Sequence, residues 1–212
     1  MTISFPLTFP TTGIREIVFT PRKVVGVNTA PDSLVAQTYE WPGERWEAQV
    51  TPPPLARQDG EAFAAFLVSL RGPVGSVLLG DPAGATPLGS ASATPGTPQV
   101  DGAHSARSRT LALKTGLGTV ANYLRAGSWL SLGTGSSRRL HKILVDVSLD
   151  SSGKATLDIW PSLRSAVSNN ATVYLSSTTG KFMLNTSAPQ YTIDVGSMFR
   201  FGAISFVEDL RS

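Results

Sequence analysis

Polar and apolar residues alternate strictly over residues 45–50. Trp46, Ala48 and Val50 fall on one face and Arg45, Glu47 and Gln49 on the other, which is the period of a half-buried strand. Residues 15–20 and 23–28 read as two further strands, with Pro21 as the break between them. Residues 37–41 alternate less cleanly, and Pro42-Gly43 predicts a turn after them. Pro52-Pro53-Pro54 forbids further ladder pairing beyond Val50.

The period changes once. Phe63, Phe66, Leu67 and Leu70 follow the i, i+3, i+4, i+7 spacing of one apolar helix stripe. Asp59 is placed to cap this helix, Glu61 suits its positive end, and Gly72-Pro73 stops it. A helix this short does not hold in water by propensity, so its stripe is expected to pack on a sheet. Residues 76–80 then read as a buried strand ending at Asp81-Pro82.

Residues 83–101 are mostly Ala, Gly, Pro, Ser and Thr and predict a long irregular crossing. Alternation resumes at 109–114, 129–132, 139–146, 154–160, 172–175 and 181–184. Gly133-Thr134-Gly135-Ser136-Ser137 reads as a turn and Asp150-Ser151-Ser152-Gly153 as a hairpin. About six short strands at this spacing predict a small barrel or sandwich. Residues 198–210 alternate again, with Phe199, Phe201, Ala203, Ser205 and Val207 on one side of a single closing strand.

Composition supports this reading. The 20 Gly and 15 Pro among 212 residues favour short strands and turns over long helices. Hydrophobic residues at 41 % allow a packed core, while charged residues at 16 % fall below the roughly 25 % of an average soluble domain. The charge is uneven. Residues 1–82 hold six basic and eight acidic side chains (−2), residues 83–185 ten and four (+6), and residues 186–212 two and three (−1). Two ends alike in charge flank a basic middle. The expected fold is therefore mainly β: a β-barrel or sandwich core with one helix, built from 1–83 and 186–212, with a small OB-like β-barrel inserted at 84–185.

Little of the chain suggests catalysis. There is no cysteine, so disulfides, thiol nucleophiles and Cys-based metal sites are excluded. His104 falls in the crossing, and His141 lies in a strand beside Arg139 and Lys142 without an adjacent acid to orient it. Asp150 is placed to bond its own turn. Asp146 and Asp158 flank that hairpin and do not follow a calcium-loop pattern. Residues 133–137 lack the Lys and the following helix of a phosphate-binding loop. Asn170-Ala171-Thr172 and Asn185-Thr186-Ser187 match glycosylation sequons only by chance. No catalytic, cofactor-binding or metal-binding residue is assigned. Residues 1–6 show neither the basic nor the apolar region of a secretion signal, and no apolar run reaches the ~20 residues of a membrane span. A soluble protein made in a cytoplasm is expected.

Several segments together resemble a known family. They are the Pro-rich break, the Phe-rich helix ending Ser69-Leu70-Arg71-Gly72, and Val77-Leu78-Leu79-Gly80-Asp81-Pro82. Later come residues 126–133, Leu140-His141-Lys142, residues 155–164 and the closing Phe206-Val207-Glu208-Asp209-Leu210. This pattern, spread over most of residues 40–210, resembles the distal tail proteins of long-tailed bacteriophages and related tail-like particles. Family members often carry Gly-Asp where this chain has Gly127-Ser128. The resemblance implies a non-enzymatic structural virion protein of the tail tip, assembled in the host cytoplasm. It implies a homohexameric ring that joins the tail tube protein to the baseplate hub and other tail-tip proteins, with no cofactor, no membrane and no nucleic-acid partner.

Two other classes compete with it. The basic middle, with Tyr123, Trp129, Trp160 and Tyr174, would suit a carbohydrate- or nucleic-acid-binding barrel. A tail-associated hydrolase would need a paired-carboxylate or nucleophile–base constellation, which is not found.

Overall fold

The computed structural model describes residues 3–10, 14–186, 189–194, 196 and 198–211. The sequence readings resting on Met1, Thr2 and Ser187 fall outside them. The protein is mainly β, with one α-helix among the described residues, as expected.

Both ends of the chain build one six-stranded sheet. Its strands run in the order Leu7–Thr8, Val77–Leu79, Gly180–Leu184, Ile204–Glu208, Ala36–Thr51 and Glu16–Thr29. All neighbours are antiparallel except the first pair. Trp46, Ala48 and Val50 point inward as the alternation requires, each at most 4 % exposed. The helix Arg57–Ser69 closes this core with Phe63, Leu67 and Leu70, while Phe66 is only half-buried at its margin. Its N-cap is Ala56, which makes no side-chain cap bond. Asp59 instead sits in the first turn, where its charge still complements the positive end of the helix. Gly60 is there for space: a Cβ would lie 2.3 Å from Phe199 Cγ.

A second six-stranded sheet runs Val173–Tyr174, Trp129–Leu132, Arg139–Ile143, Lys154–Trp160, Thr110–Lys114 and Gln99–Val100. The bridge Gln99↔Thr172 joins its two edges, so the inserted unit is a small, nearly closed barrel. The ribbon of Val120–Leu124 and Val147–Leu149 contributes to its core, which holds Tyr123, Leu111, Leu113 and Leu157.

The two sheets are fused along a seam of tryptophans. Trp129, Leu140 and Trp160 belong to barrel strands but pack into the other core. Trp46 meets Trp160 edge-on at 4.4 Å and Trp129 at 5.0 Å between ring centroids, and its Nε1 donates to the Leu140 carbonyl at 3.1 Å. Trp129 Nε1 donates to Asp81 Oδ2 at 3.0 Å.

Four further sequence readings are corrected. Residues 181–184, expected in the inserted barrel, lie in the terminal sheet between Val77–Leu79 and Ile204–Glu208. Strand periodicity fixes which face a residue takes but not which sheet it joins. Pro21 does not break the chain: Glu16–Thr29 runs through it, with Pro21 opposite Trp46. That strand is the sheet's edge, where a missing N–H disrupts nothing. Pro42-Gly43 forms a bulge instead of a turn. The pairing jumps from Lys23↔Glu44 to Val25↔Glu40, so three residues oppose Val24. Finally, the closing strand is two strands, Phe199–Phe201 and Ile204–Glu208, separated by exposed Gly202 and Ala203. The break changes the inward face, and Ile204 and Phe206 take the core positions that continuous alternation assigned to Ala203 and Ser205.

Candidate interaction surface

Glu16–Thr29 and Ala36–Thr51 form a hairpin with 14- and 16-residue strands. At about 3.4 Å per residue such strands approach 50 Å, well beyond the mean strand of globular proteins. Burial is confined to the half next to the sheet, where Glu44, Trp46, Ala48 and Val50 are buried. Beyond the bulge every residue from 30 to 43 is exposed, and the outer half forms a free two-stranded arm.

Both faces of the arm carry exposed apolar side chains among polar ones. Tyr39 and Trp41, 56 % and 59 % exposed, lie on one face. Val25 and Val27, 48 % and 64 % exposed, lie on the other, since Val27 pairs with Thr38 while Tyr39 pairs with Gly26. Gly26 lies under the indole across the ribbon: a Cβ there would lie 3.6 Å from Trp41 Nε1, in ordinary contact. Strands apolar on both faces are ordinarily covered on both faces. An isolated hairpin is at best marginally stable in water.

The arm's base is clamped to the barrel by charge. Glu40 binds both Lys23 and Arg109, and Lys23 Nζ lies 3.0 Å from Glu44 Oε1. Glu44 is buried and its other oxygen accepts from Ser162 N at 2.9 Å. Burial pushes the Glu44 carboxyl up, but the bonds from Ser162 and Lys23 outweigh it and hold the group below the usual carboxylate range. The clamp aims the arm without covering it.

At the tip, Ala30 N donates to Val35 O at 3.0 Å and Leu34 N to Ala30 O at 2.9 Å. Leu34 is held in the left-handed region at φ 56°. Leu34 and Val35 are 79 % and 61 % exposed, and Asp32 beside them forms no ion pair among the described residues.

The opposite edge of the terminal sheet carries a cleft of about 540 Å³. Phe9, Ile14, Leu79 and Pro82 form apolar walls, and Asp81, Arg138 and Thr178 supply polar ones. Among the described residues Arg138 Nε and Thr178 Oγ1 are buried without hydrogen-bond partners. Arg138 stacks on Tyr174, 4.1 Å from the ring centroid, and forms no ion pair among the described residues.

The residues weighed as chemistry in the sequence are spent on structure. His141 is buried and its Nδ1 lies 2.7 Å from the Pro161 carbonyl, which it bonds as a donor. Burial pulls its pKa down to about 4. His104 Nε2 accepts from Ala112 N at 3.1 Å. Asp150 Oδ1 accepts from Ser152 N and Lys154 N, and Asp146 Oδ1 from Ala126 N. Gly135–Ser137 is a turn between paired strands. Among the described residues no three His, Asp or Glu gather as metal ligands.

Several cations of the basic middle are also engaged. Arg109, Lys154 and Arg164 form ion pairs, as does Lys181 in the terminal sheet, and Lys142 covers the Trp129 ring at 4.2 Å. Tyr123 and Trp129 are buried, Arg138 covers the half-buried Tyr174, and the half-buried Trp160 lines a pocket of about 320 Å³ with Pro21, Trp46 and Leu144.

Sequence reasoning missed the arm. Its one signal was the poor alternation of residues 37–41, which is what a ribbon apolar on both faces produces. No family model matches the chain, and no curated protein matches it.

Proposed function

We propose that the protein is a non-enzymatic, self-assembling structural component, and that the assembly is a ring at the tip of a phage-type tail, joining tail tube to baseplate hub. The observation that carries the self-assembly is the arm. A projecting ribbon with Val25, Val27, Tyr39 and Trp41 in water on two faces is stable when neighbouring subunits cover both of them. A ring presents every subunit with two such neighbours. The identification of the ring with a tail tip rests on the segment resemblance, and the engaged histidines and carboxylates agree with a role without chemistry. Analytical ultracentrifugation of the full chain, followed by negative-stain imaging, tests the proposal. The expected result is one closed oligomer with rotational symmetry. A strict monomer at all accessible concentrations overturns it, and so does cell-wall or glycoside hydrolysis abolished by one Asp or His substitution.

A further inference from the structure

We infer that the arm's tip is a plug for the cleft at the opposite edge of the sheet of a second copy, with Asp32 paired to Arg138 across the contact. The inference rests on the self-assembly reading and adds the acceptor site and its chemistry.

Three observations support it. First, the tip and the cleft match in kind. The tip offers two exposed aliphatic side chains, Leu34 and Val35, next to one unpaired carboxylate, Asp32. The cleft offers aliphatic and aromatic walls next to one guanidinium that forms no ion pair among the described residues, and the Asp81 carboxylate that also lines it is taken by Ala83 N and Trp129 Nε1. Second, the cleft leaves polar groups open. Among the described residues Arg138 Nε and Thr178 Oγ1 are buried and find no partner, and Thr178 is only 2 % exposed. Buried donors are normally satisfied. A carboxylate and the carbonyls of an incoming loop are acceptors of the kind these two groups lack. Third, the two features sit on opposite edges of one sheet. The arm belongs to Glu16–Thr29 and Ala36–Thr51 at one end of the strand order, and the cleft to Leu7–Thr8 and Val77–Leu79 at the other. A knob and a hole at opposite edges make a heterologous contact, which propagates from copy to copy until it closes into a ring.

The tip is shaped for insertion. The Ala30–Val35 and Leu34–Ala30 bonds close a tight loop that holds Leu34 outward in a left-handed conformation a leucine rarely adopts. Local strain of this kind clusters where a loop is used.

The native chain lacks cysteine, so Leu34→Cys combined with Ser177→Cys places one thiol on the tip and one at the cleft. Oxidation of this full-length double variant is expected to give a ladder of linked chains up to the native oligomer, while each single variant gives at most dimers. In parallel, Asp32→Arg and Arg138→Asp each abolish the oligomer, and the two together restore it. Circular dichroism checks that the single variants fold, and Leu34→Ser gives a second, charge-neutral disruption. If the wild type assembles but no ladder forms and charge reversal has no effect, the tip-and-cleft contact is wrong and self-assembly stands. If the wild type never assembles, both fall.

Discussion

Arg164 grips Glu208 with two parallel bonds, Nε to Oε1 at 3.1 Å and Nη2 to Oε2 at 2.5 Å. This fork ties the segment after the barrel's last long strand to the strand Ile204–Glu208 of the terminal sheet. Glu208 is 3 % exposed and also accepts from Trp46 N at 3.1 Å, so one carboxylate holds three parts of the chain. Arg164→Met is expected to cost about 3 kcal/mol, because it leaves a buried carboxylate without its cation. Urea unfolding measures it. A change well below 1 kcal/mol would mean that water replaces the guanidinium.

The buried His141 imposes a pH dependence. Its folded pKa of about 4 lies below the ordinary 6.5, so the unfolded chain binds the extra proton first. Stability from this group is complete above pH 6.5 and is lost as pH falls toward 4, amounting to about 3 kcal/mol over that window. Glu44 and Asp209, held low by their partners, lose their contributions only further down, as pH falls below the ordinary carboxylate range. Urea midpoints measured between pH 7 and 4 should therefore slope downward for the wild type. His141→Asn, which keeps a donor for Pro161, should flatten that slope.

Gly60 and Phe63 measure the fit of the helix. Gly60→Ala places a methyl group 2.3 Å from Phe199 Cγ, and Phe199 is fully buried. The expected cost of about 1–3 kcal/mol outweighs the better helix propensity of alanine. Phe63→Ala, at 2 % exposure, should cost about 3–5 kcal/mol, and Phe66→Ala clearly less because its ring is half-buried. Equal costs for the two phenylalanines would place Phe66 under a neighbouring subunit.

Excision of the barrel depends on where the cut falls. Removing residues 84–185 deletes Gly180–Leu184, the strand that pairs with both Val77–Leu79 and Ile204–Glu208, and the product should show no cooperative unfolding. Removing residues 84–176 keeps that strand, though Trp46 loses Trp129, Trp160 and the Leu140 carbonyl. That variant should unfold cooperatively at lower urea than the full chain. A cooperative transition in the shorter variant would show that Gly180–Leu184 is dispensable.

The sequence by itself determined the elements set by local physics. Alternation placed Trp46, Ala48 and Val50 inward, and the 3.6-residue period marked the only α-helix among the described residues and its buried face. Asp150 and residues 133–137 were legible as turns because their bonding is local. Tertiary structure alone decided which sheet received Gly180–Leu184, because a period of two is the same in either sheet. It decided that Pro21 and Pro42 are tolerated inside strands, since only position in the sheet says whether a ladder bond is lost. It also decided that Trp129 and Trp160 seal the seam, and that Val25, Val27, Tyr39 and Trp41 stand in water. An apolar residue in a strand carries the same signal whether its own core covers it or nothing in its own chain does, because burial depends on the whole fold.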